Sequence, residues 1–369
     1  MKLIYAVATL SGTIIGVGLF SLPYITLKVG FWLILLYFLI LGSLVIIIHL
    51  FFGQLALETP DLKRLPGFAK YHLGDFAEKI AIFSTIIGGF GTILAYLIVG
   101  GEFTKELIFP IFGNKDLIYT IFYFAIGALL IFFGIKAIAK VEFWGLVGFF
   151  IILIVIFFRG KNLINLENLL IDNGKLKLEN FFLPYGPILF SLWGLSLIPE
   201  AEEILEGKKH LFKKAIIISL LIPIFIYLFF IYLILGITGS QTTETALAGL
   251  ENFLDKRMIS LALFFGILTT FTSFIALGLT LKNVFSYDLK INKNLAWFIT
   301  CFIPLILFLI GIKKFIPVIS FVGGIMLGID GILILLMYKK IRPKNFLIYP
   351  LFLILLFGII YQIIYFLKL

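Results

Sequence analysis

The sequence predicts an all-α, polytopic membrane protein of about eleven transmembrane helices, and three observations carry that reading. The 369 residues are 62% hydrophobic and 14% charged, more apolar surface than a water-soluble chain of this length can hide. Apolar runs separated by short charged links give eleven segments, each near the roughly 20 residues a helix needs to cross hydrocarbon about 30 Å thick. Two of the segments are also interrupted near their middles, at matching places in the two halves.

Taken in order, the segments lie near 3–27, 31–57, 76–109, 117–135, 141–158, 184–205, 213–237, 258–285, 295–312, 316–338 and 346–367. The links Lys28-Val29-Gly30 and Lys313-Lys314-Phe315 are so short that their neighbours must run antiparallel. Residues 58–79 read as a short amphipathic interfacial piece. Residues 159–183 form the longest outer connection and divide a first half, 1–158, from a second, 184–338, with 339–369 as an extra helix. In 238–257, Leu247, Leu250 and Leu254 stand at helical spacing, which predicts a helix lying over the outer vestibule.

The formal charge of +10 sits in short loops, which argues for orientation signalling and against a nucleic-acid partner. Eighteen of the thirty Lys and Arg fall on the side of the N-terminus. That bias predicts a cytoplasmic N-terminus and, after an odd number of spans, an outer C-terminus, with the plasma membrane as the site. The first span carries no small-residue cleavage site, so a removable signal peptide is not expected. The single cysteine, Cys301, excludes a disulfide framework or a cysteine-based metal site.

The first interruption reads Ser11-Gly12-Thr13-Ile14-Ile15-Gly16-Val17-Gly18-Leu19-Phe20-Ser21-Leu22-Pro23. The second reads Ser191-Leu192-Trp193-Gly194-Leu195-Ser196-Leu197-Ile198-Pro199-Glu200. In each, a glycine is followed five residues later by a proline, Gly18 to Pro23 and Gly194 to Pro199. Glycine weakens a helix and proline removes a backbone donor, so both stretches can unwind. Unwound backbone at membrane depth is tolerable only where it lines a cavity or is buried in protein. Such paired breaks mark the substrate site of secondary transporters built from inverted repeats.

A zwitterionic amino acid suits this chemistry. Free amides at a half-helix start, from Gly16, Val17 and Gly18, would take its carboxylate. Freed carbonyls near Ser191, Leu192 and Trp193, with those around Ser11 and Gly12, would take its ammonium. Phe190 is a candidate gate, and Trp193, beside Gly194, a candidate pocket wall. The competing reading is that the glycines only allow tight packing, since Gly12-Thr13-Ile14-Ile15-Gly16 is itself a small-xxx-small pattern. Gly88-Gly89-Phe90-Gly91-Thr92 in the third span is expected to open space facing the breaks, or to serve helix packing.

The first-break stretch 12–23 resembles the first-helix signature of amino acid permeases. The likeness is greatest to the amino acid/auxin and hydroxy/aromatic amino acid permeases of the amino acid–polyamine–organocation superfamily. Arg64-Leu65-Pro66-Gly67 with Tyr71-His72-Leu73-Gly74, and Ile198-Pro199-Glu200, point the same way. The resemblance implies the bacterial leucine-transporter fold: five helices, five more inverted, and one extra. It also implies alternating-access transport of a neutral, hydrophobic or aromatic amino acid. The sequence departs from these relatives in the sixth span, where Trp193, Leu195 and Ser196 replace small or polar residues.

Two coupling ions remain open. Thr269, Thr272 and Ser273 share one face of the eighth span; with carbonyls of the first break they would suit a bound Na+, the one small ligand expected besides substrate. They would equally bond their own helix backbone. Asp330 is the carboxylate deepest within a span; a charge there costs about 2.5–3.5 kcal/mol on the insertion scale, so it should be protonated, paired or wetted, and is a candidate proton carrier. Glu200, Glu202 and Glu203 are expected to pair with Lys208, Lys209 or Lys213 as an ion-pair latch. An embedded enzyme would need a nucleophile with its base, paired aspartates or metal ligands. His49, His72 and His210 are scattered instead. A channel would need a filter or rings of like charge, and neither is present.

Overall fold

The computed structural model of the protein describes residues 2–60, 64–113, 116–134, 138–170, 180–205 and 209–368. The first apolar segment is two helices, α1 (Lys2–Ile14) and α2 (Leu22–Val29), joined by a 3₁₀ turn at Val17–Ser21 and bent by 50°. Pro23 falls in the first turn of α2, where its missing N–H would have had no helical partner. Gly30, at φ 88°, makes the sharp reversal into α3 (Phe31–Glu58), a conformation that only glycine adopts without strain.

Beyond α3 lie a short helix α4 (Leu65–Leu73) and the long helix α5 (Asp75–Phe112), then α6 (Asp116–Phe133) and α7 (Ile138–Gly160). The second half opens with α8 (Tyr185–Leu192) and α9 (Ile198–Leu205), a second interrupted segment, with Pro199 again in the first turn of the restarted helix. It continues through α10 (Lys209–Thr238), α11 (Lys256–Asn283) and α12 (Lys293–Leu309). A π-helical stretch, Val322–Met326, joins α13 (Phe315–Phe321) to α14 (Leu327–Ile341), and α15 (Ile348–Leu367) closes the chain. Among the described residues seven helices are long and apolar enough to cross a membrane, eight with the bent α1–α2 pair. The shorter apolar stretches Leu117–Phe133 and Lys293–Leu309, and the α8–α9 pair, fall where further segments are expected.

In lipid the driving force between helices is packing and hydrogen bonding rather than release of water. The interior accordingly shows close backbone approaches. A Cβ on Gly186 would stand 2.7 Å from Ser320 Cα, and one on Gly323 would run into the backbone of Gly186. The start of α8 and the π-helical stretch therefore touch main chain to main chain. Phe20, in the first break, is ringed edge-on by Phe103, Phe149 and Phe230 at centroid distances of 4.9, 5.6 and 6.0 Å, contacts worth about 0.5–1.5 kcal/mol each.

Two expectations change. The glycine run 88–91 does not face the breaks. Cβ atoms there would meet Met326, Leu281 and Val322, so the run packs α5 against α11 and the π-helical stretch. The outer segment 238–257 is not an α-helix but two 3₁₀ turns, Gly239–Gln241 and Ala248–Asn252. Ala246 at φ 66° interrupts any helix, and a side chain at Gly249 would strike the Gln241 carbonyl, at 2.8 Å. The leucine spacing still marks an inward face: Leu247 and Leu250 are fully buried, and Thr245 donates to Glu102 of α5 at 2.7 Å.

Candidate functional site

The two breaks pack against each other, and their contacts are reciprocal. A Cβ on Gly18 would collide with Ser191 and stand 3.0 Å from its Cα; one on Gly194 would collide with Ile14. Each break's glycine thus abuts the other segment just before that segment unwinds. The backbone groups released there find side-chain partners from neighbouring helices. Val17 N–H donates to the Tyr96 hydroxyl of α5 at 3.2 Å. Gly194 N–H donates to His49 Nε2 of α3 at 3.1 Å. The Tyr227 hydroxyl of α10 lies 2.7 Å from the Ile14 carbonyl and 2.8 Å from that of Ser191. One hydroxyl proton therefore serves a carbonyl from each break.

A narrow cavity adjoins the first break. Ile15, Gly16, Val17, Leu19 and Phe20 form one side, with Tyr96, Leu146, Phe149, Thr269 and Thr270 opposite. Its room for water is about 10 Å³, roughly one molecule and too little for an amino acid. Gly16 allows the close approach of α5, because a Cβ would strike the Tyr96 hydroxyl. Gly12 is different: it lies within the continuous part of α1, and a Cβ there would meet nothing within 4 Å.

Of the other residues singled out in the sequence, Phe190 and Ser191 end α8 where the two breaks pack together. Trp193 turns away from the cavity toward α3 and α14, with its ring edge-on to His49 at 5.7 Å and its Cη2 beside Gly331. Thr269 reaches the cavity together with Thr270, whereas Thr272 is buried in the bundle. All three donate to carbonyls of their own helix, which leaves hydroxyl lone pairs available as acceptors. Ser273 stands on the same helix. Asp330 is buried in α14 and lies 2.5 Å from the Ser84 hydroxyl of α5. Lys208, of the expected latch, lies outside the described residues. At that end of the molecule Glu58 pairs with Arg342 at 2.6 Å and Arg64 with Asp288 at 3.6 Å.

Sequence reasoning missed Tyr96, Tyr227, His49 and Ser84. His49 is an ionisable group inside a long apolar run, an anomaly that marks a functional position in a membrane span by default, whereas the hydroxyls of Tyr96, Tyr227 and Ser84 resemble many others along these segments.

Two discontinuous helices thus pack against each other, with unwound backbone lining a narrow cavity. The profile of the tryptophan/tyrosine permease family matches residues 1–364. The chain belongs to that family and is a membrane permease, not an enzyme. It is 23% identical over 232 residues to the "Tyrosine-specific transport system 1" of Haemophilus influenzae, an alignment covering 62% of this chain and 56% of that relative's length. Among solved structures it is similar to MhsT in complex with L-phenylalanine, with a TM-score of 0.66 and 15% identity over 97% of this chain and 98% of that one. It is also similar to Mhp1, a nucleobase-cation-symport-1 family transporter in a closed conformation with bromovinylhydantoin bound. That match has a TM-score of 0.65 and 12% identity over 89% and 76% of the two chains. The fold is thus the all-helical leucine-transporter type.

Proposed function

We propose that the chain is a secondary active carrier of an aromatic amino acid, tryptophan or tyrosine, working by alternating access. The observation that carries this reading is the reciprocal packing of the two breaks beside a narrow cavity. The family and the tyrosine-specific relative supply the substrate class. The substrate carboxylate meets the amides of Gly16, Val17 and Gly18 and the hydroxyl of Tyr96. Its ammonium takes the carbonyls of Ile14 and Ser191 in exchange for the Tyr227 hydroxyl. The ring lies among Leu19, Phe20, Leu146 and Phe149 once the cavity widens, while Phe190 and Trp193 follow the second break as it moves.

The spans number eleven, arranged as helices 1–5 (1–158), an outer connection (159–183), inverted helices 6–10 (184–338) and an extra helix (339–369). The N-terminus is cytoplasmic, the C-terminus outside, and the membrane is the plasma membrane. Protons drive transport, with Asp330 as carrier. The Ser84 hydroxyl faces two acceptors, Asp330 Oδ1 and the Ala81 carbonyl at 3.1 Å, but has one proton. If it donates to Ala81, the proton between Ser84 and Asp330 belongs to the carboxyl group. Sodium is the second reading, favoured by the hydroxyl oxygens of Thr269 and Thr270 at the cavity. Uptake of radiolabelled L-tryptophan and L-tyrosine into proteoliposomes, under separately imposed proton and sodium gradients, tests both. Accumulation of neither amino acid under either gradient overturns the transport reading.

A further inference from the structure

We propose that His49 is a proton-operated lock on the second break: with one ring proton it holds the Gly194 amide, and with two it must release it. Both ring nitrogens are engaged. Nδ1 lies 2.8 Å from the Val45 carbonyl, which can only accept, so Nδ1 carries the proton. Nε2 accepts from Gly194 N–H at 3.1 Å, so its lone pair is the one directed at the break. Gly194 lies outside α8 and α9, and its amide has no helical carbonyl to bond. The imidazole is the acceptor that keeps this buried N–H satisfied, and a buried donor left without one is strongly disfavoured.

A second proton can bind only at Nε2, on the lone pair already used. Adding it turns an acceptor into a donor and sets N–H against N–H. The ring is 2% exposed, so water reaches Nε2 only after the Gly194 bond has parted. Closure of the second break and double protonation of His49 are therefore mutually exclusive. Among the titratable groups on the elements packed against α3 are Tyr24 on α2, Tyr185 on α8, Glu200 on α9, Tyr227 and Tyr232 on α10, and Asp330 and Tyr338 on α14. None of these is bonded to the ring. Asp330 is turned to Ser84, Tyr338 donates to Gln54 at 2.9 Å, and Tyr227 serves the two break carbonyls. Among the described residues no carboxylate is hydrogen-bonded to the imidazole to offset the lost acceptor. His49 is a positioning residue: it acts on substrate only through the backbone it holds.

The lock itself depends on the contact alone; its link to uptake rests on the carrier reading above. Hydrogen exchange of the full-length protein in lipid nanodiscs, followed for residues 190–198 between pH 5.5 and 8 and corrected for intrinsic rates, tests it. In the unaltered protein, protection should fall by up to about tenfold for each pH unit below the midpoint. In His49→Gln, whose amide oxygen can accept from Gly194 but binds no proton, protection should persist at every pH. In His49→Phe it should be low at every pH. Protection of the unaltered protein that ignores pH, or the same pH dependence in His49→Gln, overturns the proposal. If the variants fail to insert, ¹⁵N-histidine spectra of the unaltered protein decide, since the chain has only three histidines. The His49 Nε2 should be protonated only in molecules whose 190–198 segment has lost protection, and a protonated Nε2 with that segment still protected overturns the lock. In uptake assays His49→Gln should change the pH profile of internal-for-external substrate exchange, which does not use the Asp330 proton. Absence of uptake by the unaltered protein overturns the carrier reading and leaves the exchange result to judge the lock.

Discussion

At Gly12, Gly16 and Gly18 a single added methyl group meets three different surroundings. Gly12→Ala enters open space in a continuous helix. It should stabilise the protein by about 0.5–1 kcal/mol and leave uptake unchanged, which a thermal-shift measurement and a transport assay will check together. Gly18→Ala drives a methyl into Ser191. Overpacking of this kind costs about 1–3 kcal/mol, so substrate binding measured by isothermal titration should weaken about tenfold or more while the protein still inserts. At Asp330, replacement by Asn keeps the shape and removes the exchangeable proton. Uptake driven by a proton gradient should collapse, and exchange of internal for external substrate should survive. The Gly-to-Pro spacing of both breaks was legible because it is a local property of the backbone. The hydrogen-bond partners were not, because they come from elsewhere in the chain. Val17 and Tyr96 are 79 residues apart, Gly194 and His49 145, and Ser84 and Asp330 246.

Among the elements, α4 offers a contact sensitive to pH. The Thr59 hydroxyl donates to the Leu55 carbonyl at 2.7 Å, so His72 must donate its Nε2–H to Thr59, at 2.8 Å. Burial, assisted by the charge of Lys340, holds the His72 ring below the ordinary histidine range. An undocked α4 would take up a proton first, near the ordinary value of about 6.5. Docking is thus fully favourable above that pH and weakens as pH falls below it. Hydrogen exchange in residues 64–74 should rise below about pH 6.5 and become insensitive to pH in His72→Gln. The existence of α4 was readable from its amphipathic pattern, as were the positions of the long apolar segments. The outer loop 238–257 was misread in shape because Leu247 and Leu250 signal burial, while the left-handed Ala246 and the crowded Gly249 decide against a helix. The π-helical stretch 322–326 had no local signal. Its Gly323 matters through Gly186 of α8, 137 residues earlier, and its Gly324 through Gln362 of α15.

For the whole molecule, the proposed arrangement of eleven spans fixes where the termini lie. A reporter that fluoresces only in the cytoplasm should light when fused to the N-terminus and stay dark at the C-terminus; fluorescence at both ends would require an even number of spans. The fold was legible at this scale because the apolar runs and the repeated break are written along the chain. The narrow cavity was not, since it depends on how Tyr96, Leu146, Phe149 and Thr270 meet the first break from three separate helices.

The reciprocal fit of Gly18 with Ser191 and of Gly194 with Ile14 makes the two discontinuous segments a dovetail joint. Neither can slide along the other without shearing both contacts, so they must travel as a single piece. Substitutions across the joint should then fail to add. Ser191→Gly removes the side chain that Gly18→Ala would strike, and the double variant should regain much of the function lost in Gly18→Ala. A coupling free energy of about 0.5–3 kcal/mol is expected from the cycle. An additive result would mean that the halves move independently. The same reasoning extends to descent: among related chains, a side chain gained at either position of a pair should be matched by one lost at the other.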